Sequence, residues 1–562
     1  MIQKEQDTTG SASPLVITKE ENGKRRGALW LQFSRRAILL LAAFAVAIFL
    51  LRLWPAAPNP LGTPPGLVDG LLINPLVLER LPITLVLLAS ALVLAFTLGL
   101  VLAVVAALLA RLEARSPRAG ALLAAFGRLA LYPWMPLPVI LSAFLLILLF
   151  AVGGTATGPL FAPAGNNTFT LLAGSFVLAL YPALLAAQDA AQIAGSGSPP
   201  AIARRLVAAL LQLGESLLLQ TAGILSALTV VELIFARPGM GRLLADSLFQ
   251  RDFAMVVDVL TVMALIVLFA RLAAELLGWA RRFVTGPPQP SLSLTQPKPP
   301  RRLWTVLAVL LLLLPLALAI LGLLTSPEAA VRQDLQQRLA PPSAQHILGT
   351  DALGRDIWAR LRLGSLSTLA RASLVGGAVL VPALVLGLLA GLLFNRGGWL
   401  WESLADILLL PVDVLLFFPL VPAAIASIAL SGPGASLILV AALALLFLPR
   451  ASRAVREIWR TRRPESGTAH DLLSALVAVF LLVLFNAFLV LLAVEYLGFG
   501  PPPPAPSLGA MLQESQQHLL AAPGSVAAFV VILTLLSFAL YTAAAAVSDF
   551  VDSRHPLVDF NE

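Results

Sequence analysis

Apolar runs that a lipid bilayer could accommodate recur twelve times along this chain, and nothing else in it constrains the fold so strongly. At a rise of about 1.5 Å per residue, crossing roughly 30 Å of hydrocarbon takes about 20 residues. The runs lie near 37–54, 83–110, 129–152, 169–187, 214–234, 254–279, 303–324, 373–394, 404–430, 435–449, 472–494 and 525–548. The tenth is short and is kept because the charge pattern requires it. Lipid cannot satisfy an open backbone, so such spans must be helical. The first run follows a basic tail, as a signal peptide's would. It is long and lacks a small-x-small cleavage site, so it reads as an uncleaved span. The expected fold is an all-α polytopic membrane protein of about 12 transmembrane helices, with the lipid bilayer as its surroundings.

Composition narrows the function. The chain is 59% hydrophobic and 12% charged, where soluble domains carry about a quarter charged residues. Its formal charge of +8 sits in short clusters between apolar runs, which marks topology and not a nucleic-acid partner. Without cysteine there is no disulfide framework, thiol nucleophile or thiolate metal site. The four histidines, His346, His470, His518 and His555, are scattered. No metal, cofactor or catalytic group is expected, and the chain does not read as an enzyme. It also lacks a Gly-rich phosphate loop ending in Lys and Ser/Thr, so it would not hydrolyse ATP itself.

Basic clusters alternate with uncharged loops. Arg25, Arg26, Arg35 and Arg36 precede the first span, Arg111, Arg115 and Arg118 follow the second, and Arg204 and Arg205 follow the fourth. Arg281, Arg282, Lys298, Arg301 and Arg302 occupy the centre, and Arg450 to Arg463 form one tight group. Residues 153–168 carry no charge, and 495–523 no Lys or Arg. The positive-inside rule then places both termini in the cytoplasm. The basic stretch Arg355 to Arg371 is the exception, falling outside in a long loop.

Residues 284–300 are rich in Pro, Ser and Gln and read as a connector. The sides match in order: one span, a long outer loop, then five closer spans. Val231-Glu232-Leu233-Ile234 and Val494-Glu495-Tyr496-Leu497 precede the last outer loop of each. Leu98-Gly99-Leu100 and Leu386-Gly387-Leu388 lie inside each second span. Even span numbers give both halves one orientation, so the expected architecture is two tandem parallel repeats. The domains are a basic tail 1–35, a first domain 36–283 (core 80–280), the linker 284–300, a second domain 301–552 (core 366–550), and a tail 553–562.

The most specific string is His346-Ile-Leu-Gly349-Thr350-Asp351-Ala-Leu-Gly354-Arg355-Asp356. Thr350 or Asp351 suits a helix start, and the helix would lie along the outer surface with Ile357, Leu361 and Leu363 toward lipid. A metal or hydrolytic use of His346, Asp351 and Asp356 lacks a further partner. Leu348 to Asp356 resembles the signature that opens the second permease subunit of dipeptide, oligopeptide and nickel ABC importers. Val412-Asp413 to Pro419, Leu497-Gly-Phe-Gly500 and Pro506 to Met511 resemble later parts of that subunit. Val231-Glu232 to Arg242 and Arg251-Asp252-Phe253 resemble its companion. The resemblance implies two type-1 permease domains fused in one chain of a cytoplasmic (inner) membrane. It further implies ABC ATPase subunits on the cytoplasmic side, an extracytoplasmic solute-binding protein at the outer loops, and a peptide or similar small cargo.

Family permeases insert a short cytoplasmic helix into the ATPase. Asp189, Ala190, Ala191 and Gly195 have the spacing of that motif, with Asp for Glu. The second half offers only a basic loop, with Arg456 and Arg460 as contacts. A degenerate permease homologue, acting as a membrane partner or regulator, is the alternative. Within the spans, Gln212, Ser216 and Gln220 recur every four residues on one face, either lining a solute path or bonding a neighbouring helix. Glu215 and Thr221 flank that face. Asp413 and Asn486 are further candidates for the path, and Asp406 belongs nearer the inner surface.

The topology is open to direct test in this Cys-free background. Single cysteines within 153–168 or 495–523 are expected to label from outside, and those within 188–205 or 450–471 from inside. Labelling of 450–471 from outside would overturn the span count.

Overall fold

The computed structural model describes residues 19–52, 73–115, 139–153, 168–194, 202–285, 301–431, 436–461, 468–519 and 521–552. The expected linker, apart from residues 284 and 285, and the C-terminal tail 553–562 lie outside these residues. So do residues 1–18 and most of 153–168. In the first half the main helices are α1 (Lys19–Arg52), α2 (Pro75–Arg115), α3 (Val139–Gly153), α4 (Thr168–Ala194), α5 (Ile202–Leu219), α6 (Thr221–Ile234), α7 (Met240–Phe249) and α8 (Phe253–Thr285). In the second they are α9 (Arg301–Leu323), α10 (Ile357–Phe394), α11 (Trp399–Asp413), α12 (Leu420–Ser431), α13 (Ser436–Thr461), α14 (Thr468–Val494), α15 (Leu508–Gln517) and α16 (Pro523–Asp552). Among the described residues there is no sheet; a lone bridge pairs Thr350 with Asp356.

Ten of the expected runs fall on one helix each and two on a bent pair, with the part of the third run before residue 139 outside the described residues. Among the described residues seven helices are long and apolar enough to cross a membrane, and nine spans result if each bent pair is one crossing. The expected span 214–234 is such a pair: α5 and α6 bend by 53° at Gln220. The expected span 404–430 is the other, bending by 84° between the segment that ends at Phe417 and α12. Pro419 lacks the N–H needed to continue a helix, and Phe418 before it is extended.

The same packing plan occurs twice. Helix α2 lies along α4 as α10 lies along α13, and α5 packs on α8 as α14 packs on α16. The two Leu-Gly-Leu echoes explain the first seam. A Cβ on Gly99 would stand 3.3 Å from the Ala183 carbonyl oxygen, and one on Gly387 only 2.6 Å from that of Ser452. Glycine at these points lets two backbones approach closely, which is how helices associate where lipid supplies no hydrophobic drive. The halves also interlock: α3 packs on α16, and α12 packs on α6, α7 and α8. Phe144 meets Tyr496 edge-on at 6.0 Å, and Phe249 stacks on Phe499 at 5.0 Å.

Two expectations about 346–373 need correction. Asp356 caps α10, accepting the Ala359 N–H at 2.9 Å, in place of Thr350 or Asp351. The helix is not a separate surface element; it runs without a break from Ile357 into the span, and Leu361 is buried. Two of its early arginines are neutralised by partners distant in sequence, Arg360 by Glu514 and Arg371 by Glu495, while Arg362 lies over the Trp358 ring.

Candidate functional site

A buried carboxylate ends a span in each half. Glu232, near the end of α6, is fully buried, as is Glu495 just after α14. Each takes hydrogen bonds from the second span of its half and from the short helix that follows it. Thr84 Oγ1 of α2 donates to Glu232 at 2.7 Å, and the Gly241 N–H of α7 donates at 2.7 Å. The same Thr84 hydroxyl accepts the Met240 N–H at 2.8 Å. In the second half Thr368 Oγ1 of α10 lies 3.1 Å from Glu495, and the Gly509 N–H of α15 donates at 3.1 Å. The first amides of a helix have no internal acceptor and carry its positive dipole end, so an anion there is well placed.

Glycine is required where these carboxylates meet backbone. A Cβ on Gly239 would lie 2.0 Å from Glu232 Oε1, and one on Gly509 would lie 2.4 Å from the Leu492 carbonyl oxygen. The halves differ in one respect. Arg371 of α10 pairs with Glu495 at 2.8 Å, whereas the buried Arg237 donates to Thr170 at 3.3 Å beside Glu232.

The outer string folds into a knot. Gly349 and Gly354 have φ of 77° and 73°, a region in which side chains other than glycine are strained. Thr350 donates to the Gln337 carbonyl. Asp351 accepts from Arg355 at 2.7 Å, and Arg355 and Arg360 both reach Glu514 of α15, at 3.0 and 2.6 Å. His346 bridges Asp356 at 2.8 Å and Gln337 at 2.7 Å. Arg355, Arg360 and Arg371 thus spend their charge on internal carboxylates, which removes their weight from a positive-inside count. Among the described residues no group of three His, Asp or Glu is arranged to hold a metal.

The path candidates are dispersed. Gln212 donates to Ser216 at 3.1 Å, so two of the stripe residues bond each other. Gln220 sits at the α5–α6 break with Oε1 buried and unpartnered, as is Oγ1 of Thr221. Glu215 pairs with Arg281 at 2.9 Å. Asp413, at the end of α11, is held by Arg453 of α13 through bonds of 3.1 and 2.8 Å. Asn486 donates to Leu482 O of its own helix at 2.9 Å.

On the opposite side, Asp189, Ala190 and Ala191 continue α4, and Ala190 is buried in the seam with α2. Gly195 lies outside the described residues, as do the side chains of Asp189, Ala191 and Arg460. Arg456 pairs with Asp406 at 3.1 Å, and Asp406 also holds Arg35 of α1 at 2.7 Å. Residue type and spacing identified Asp406 and Asp413 as one face; the two arginines of α13 that meet that face were missed.

No family model matches the chain. Over 226 residues it is 33% identical to the glutathione transport system permease protein of Pectobacterium atrosepticum, covering 35% of this chain and 70% of that protein. Over 264 residues it is 31% identical to the di/tripeptide transport system permease protein of Pseudomonas aeruginosa, covering 40% and 83%. Each alignment uses most of the relative and less than half of this chain.

The cradles predict an asymmetric response. Thr84→Val leaves the Met240 amide and one Glu232 oxygen without partners, and should cost about 1–3 kcal/mol. Thr368→Val should cost less, because Arg371 still pairs with Glu495. Melting temperatures of the detergent-solubilised chain check this; a larger drop for Thr368→Val would contradict it.

Proposed function

Since the chain belongs to the permease family of peptide ABC transport systems, we propose that it is both permease domains of one importer, fused. It would carry peptides or similar small solutes through the cytoplasmic membrane, with both termini inside. Separate ATPase subunits would supply the energy, one under each half, and an extracytoplasmic binding protein would deliver cargo at 326–371 and 495–523. The observation that carries this reading is the cradle built twice, at Glu232 and Glu495, in halves whose helices interlock. Two matched halves around one junction are what alternating access requires, because one half rocks against the other.

The path would run along that junction, past Gln212, Ser216, Gln220, Asp413 and Asn486. The unpartnered atoms of Gln220 and Thr221 support a role for the α5–α6 break, since buried polar atoms are otherwise satisfied. Coupling to ATPase would be asymmetric. The 188–205 segment, from the end of α4 into α5 and with Asp189 to Gly195, would make the tighter contact. Around Arg456 and Arg460 attachment is mainly electrostatic and weakens with salt over a Debye length of about 8–10 Å.

In proteoliposomes holding the chain and its ATPases, Asp189→Arg with Gly195→Trp should abolish transport. Reversing Arg456 and Arg460 should give partial, salt-sensitive loss, part of it from the broken pair with Asp406. If no ATPase binds the wild-type chain, the importer reading fails and a non-transporting membrane partner takes its place.

A further inference from the structure

Helices α1 and α8 run antiparallel along each other and end in a cluster of rings and charges. Trp30 of α1 stands edge-on to Trp279 of α8 at 5.9 Å, and Phe33 lies 6.4 Å from the same ring. Trp279 stacks on Phe283 at 5.8 Å. One turn beyond Phe33, Arg36 reaches Glu275 of α8 at 3.5 Å. Glu275, Trp279, Arg282 and Phe283 recur at helical spacing, so they share one face of α8.

This end of the pair stands at the edge of the apolar stretch. Residues 30–36 directly precede the run that opens near residue 37, and Trp279 to Phe283 fall in the last two turns of α8, which ends at Thr285. With 34 residues, α1 is about 51 Å long, well beyond the roughly 30 Å that hydrocarbon requires. Trp30 and Phe283 are exposed, and the exposure continues along the two helices through Ile38, Leu41 and Leu276. An apolar surface therefore runs from the cluster into the membrane.

Four arginines lie here, and the acids match two of them closely. Arg35 pairs with Asp406 at 2.7 Å and Arg281 with Glu215 at 2.9 Å. Arg36 and Arg282 instead share a single oxygen, Glu275 Oε2, at 3.5 and 3.8 Å. Both contacts are longer than the about 2.7–2.9 Å of a charge-assisted hydrogen bond. On the same face of α8, the Trp279 Nε1–H is shielded from solvent and has no acceptor among the described residues.

We propose that this end of the α1–α8 pair binds an anionic phospholipid. The phosphate sits across Arg36 and Arg282, where short charge-assisted bonds replace two long contacts to one carboxylate oxygen. The rings of Trp30 and Phe283 lie at the level of the glycerol, as aromatic side chains do at an interface. A headgroup oxygen entering beside Trp30 supplies the acceptor that the Trp279 indole lacks. Basic pockets between spans select headgroups of net negative charge, and the exposed apolar residues that continue from the rings suit acyl chains, which a soluble acidic partner would not use. The site does not depend on whether the chain transports.

The test is native mass spectrometry of the full chain, released from nanodiscs of equal phosphatidylglycerol and phosphatidylcholine, reading the first lipid retained. Wild type should favour phosphatidylglycerol by roughly tenfold, the scale of one or two arginines at an anionic surface. Arg36→Gln and Arg282→Gln should each reduce that preference, and the double variant should bring it close to parity. Trp279→Phe, which keeps a ring and loses the N–H, should reduce it less. Glu275→Gln removes the competing carboxylate and should raise the preference, a direction that misfolding does not produce. Arg396→Gln is the control, since Arg396 lies over the Trp401 ring at 4.6 Å in the other half, and it should leave the preference unchanged. No preference in wild type, one that survives the double variant, a fall with Glu275→Gln, or an equal fall with Arg396→Gln would overturn the site. Displacement of phosphatidylglycerol by inorganic phosphate would assign the arginines to a free anion and overturn the lipid.

Discussion

A carboxylate buried at the end of a span must have its oxygens met by donors, because neither lipid nor packed protein offers water in their place. Glu232 and Glu495 meet that demand with a hydroxyl from the second span and an amide from the outer helix. Three elements are thereby tied at one point in each half: a span, the span it crosses, and the short helix that follows. The glycines follow from this tie, since the helix N-terminus must approach to hydrogen-bonding distance. The closely packed seams at Gly99 and Gly387 then set how each half stacks.

The remaining charge is organised around these frames. At one end of the bundle Asp351, Arg355, Arg360 and Glu514 lock the entry of α10 onto α15. On the other side Arg35, Asp406 and Arg456 join α1, α11 and α13. Between them, Asp413 of α11 holds Arg453 of α13 at 2.8 Å.

Much of this was legible from residues alone. Apolar runs located the helices, and the echoes at Glu232 and Glu495 and at Gly99 and Gly387 marked the positions where the two halves repeat a contact. The break at Gln220 was not legible, because no proline or glycine stands there and only a polar residue in an apolar run hints at it. The early start of α10 was hidden for a different reason. Arg360 and Arg371 look unfit for a span until Glu514 and Glu495 are seen beside them, and those partners lie more than a hundred residues away. Of the path candidates, Gln212, Ser216, Asp413 and Asn486 bond within the protein, so spacing identified polar faces without separating lining from support.

The central claim is that two matched halves switch about one junction, and the contact between Phe249 and Phe499 reports on it directly. These rings stack across the halves at 5.0 Å, and the chain has no cysteine of its own. Spin labels on Phe249→Cys and Phe499→Cys, in the chain assembled with its ATPases, give the separation with and without trapped ATP. The account predicts two distance populations that exchange weight between the nucleotide states. A single unchanged distance in both states would contradict it.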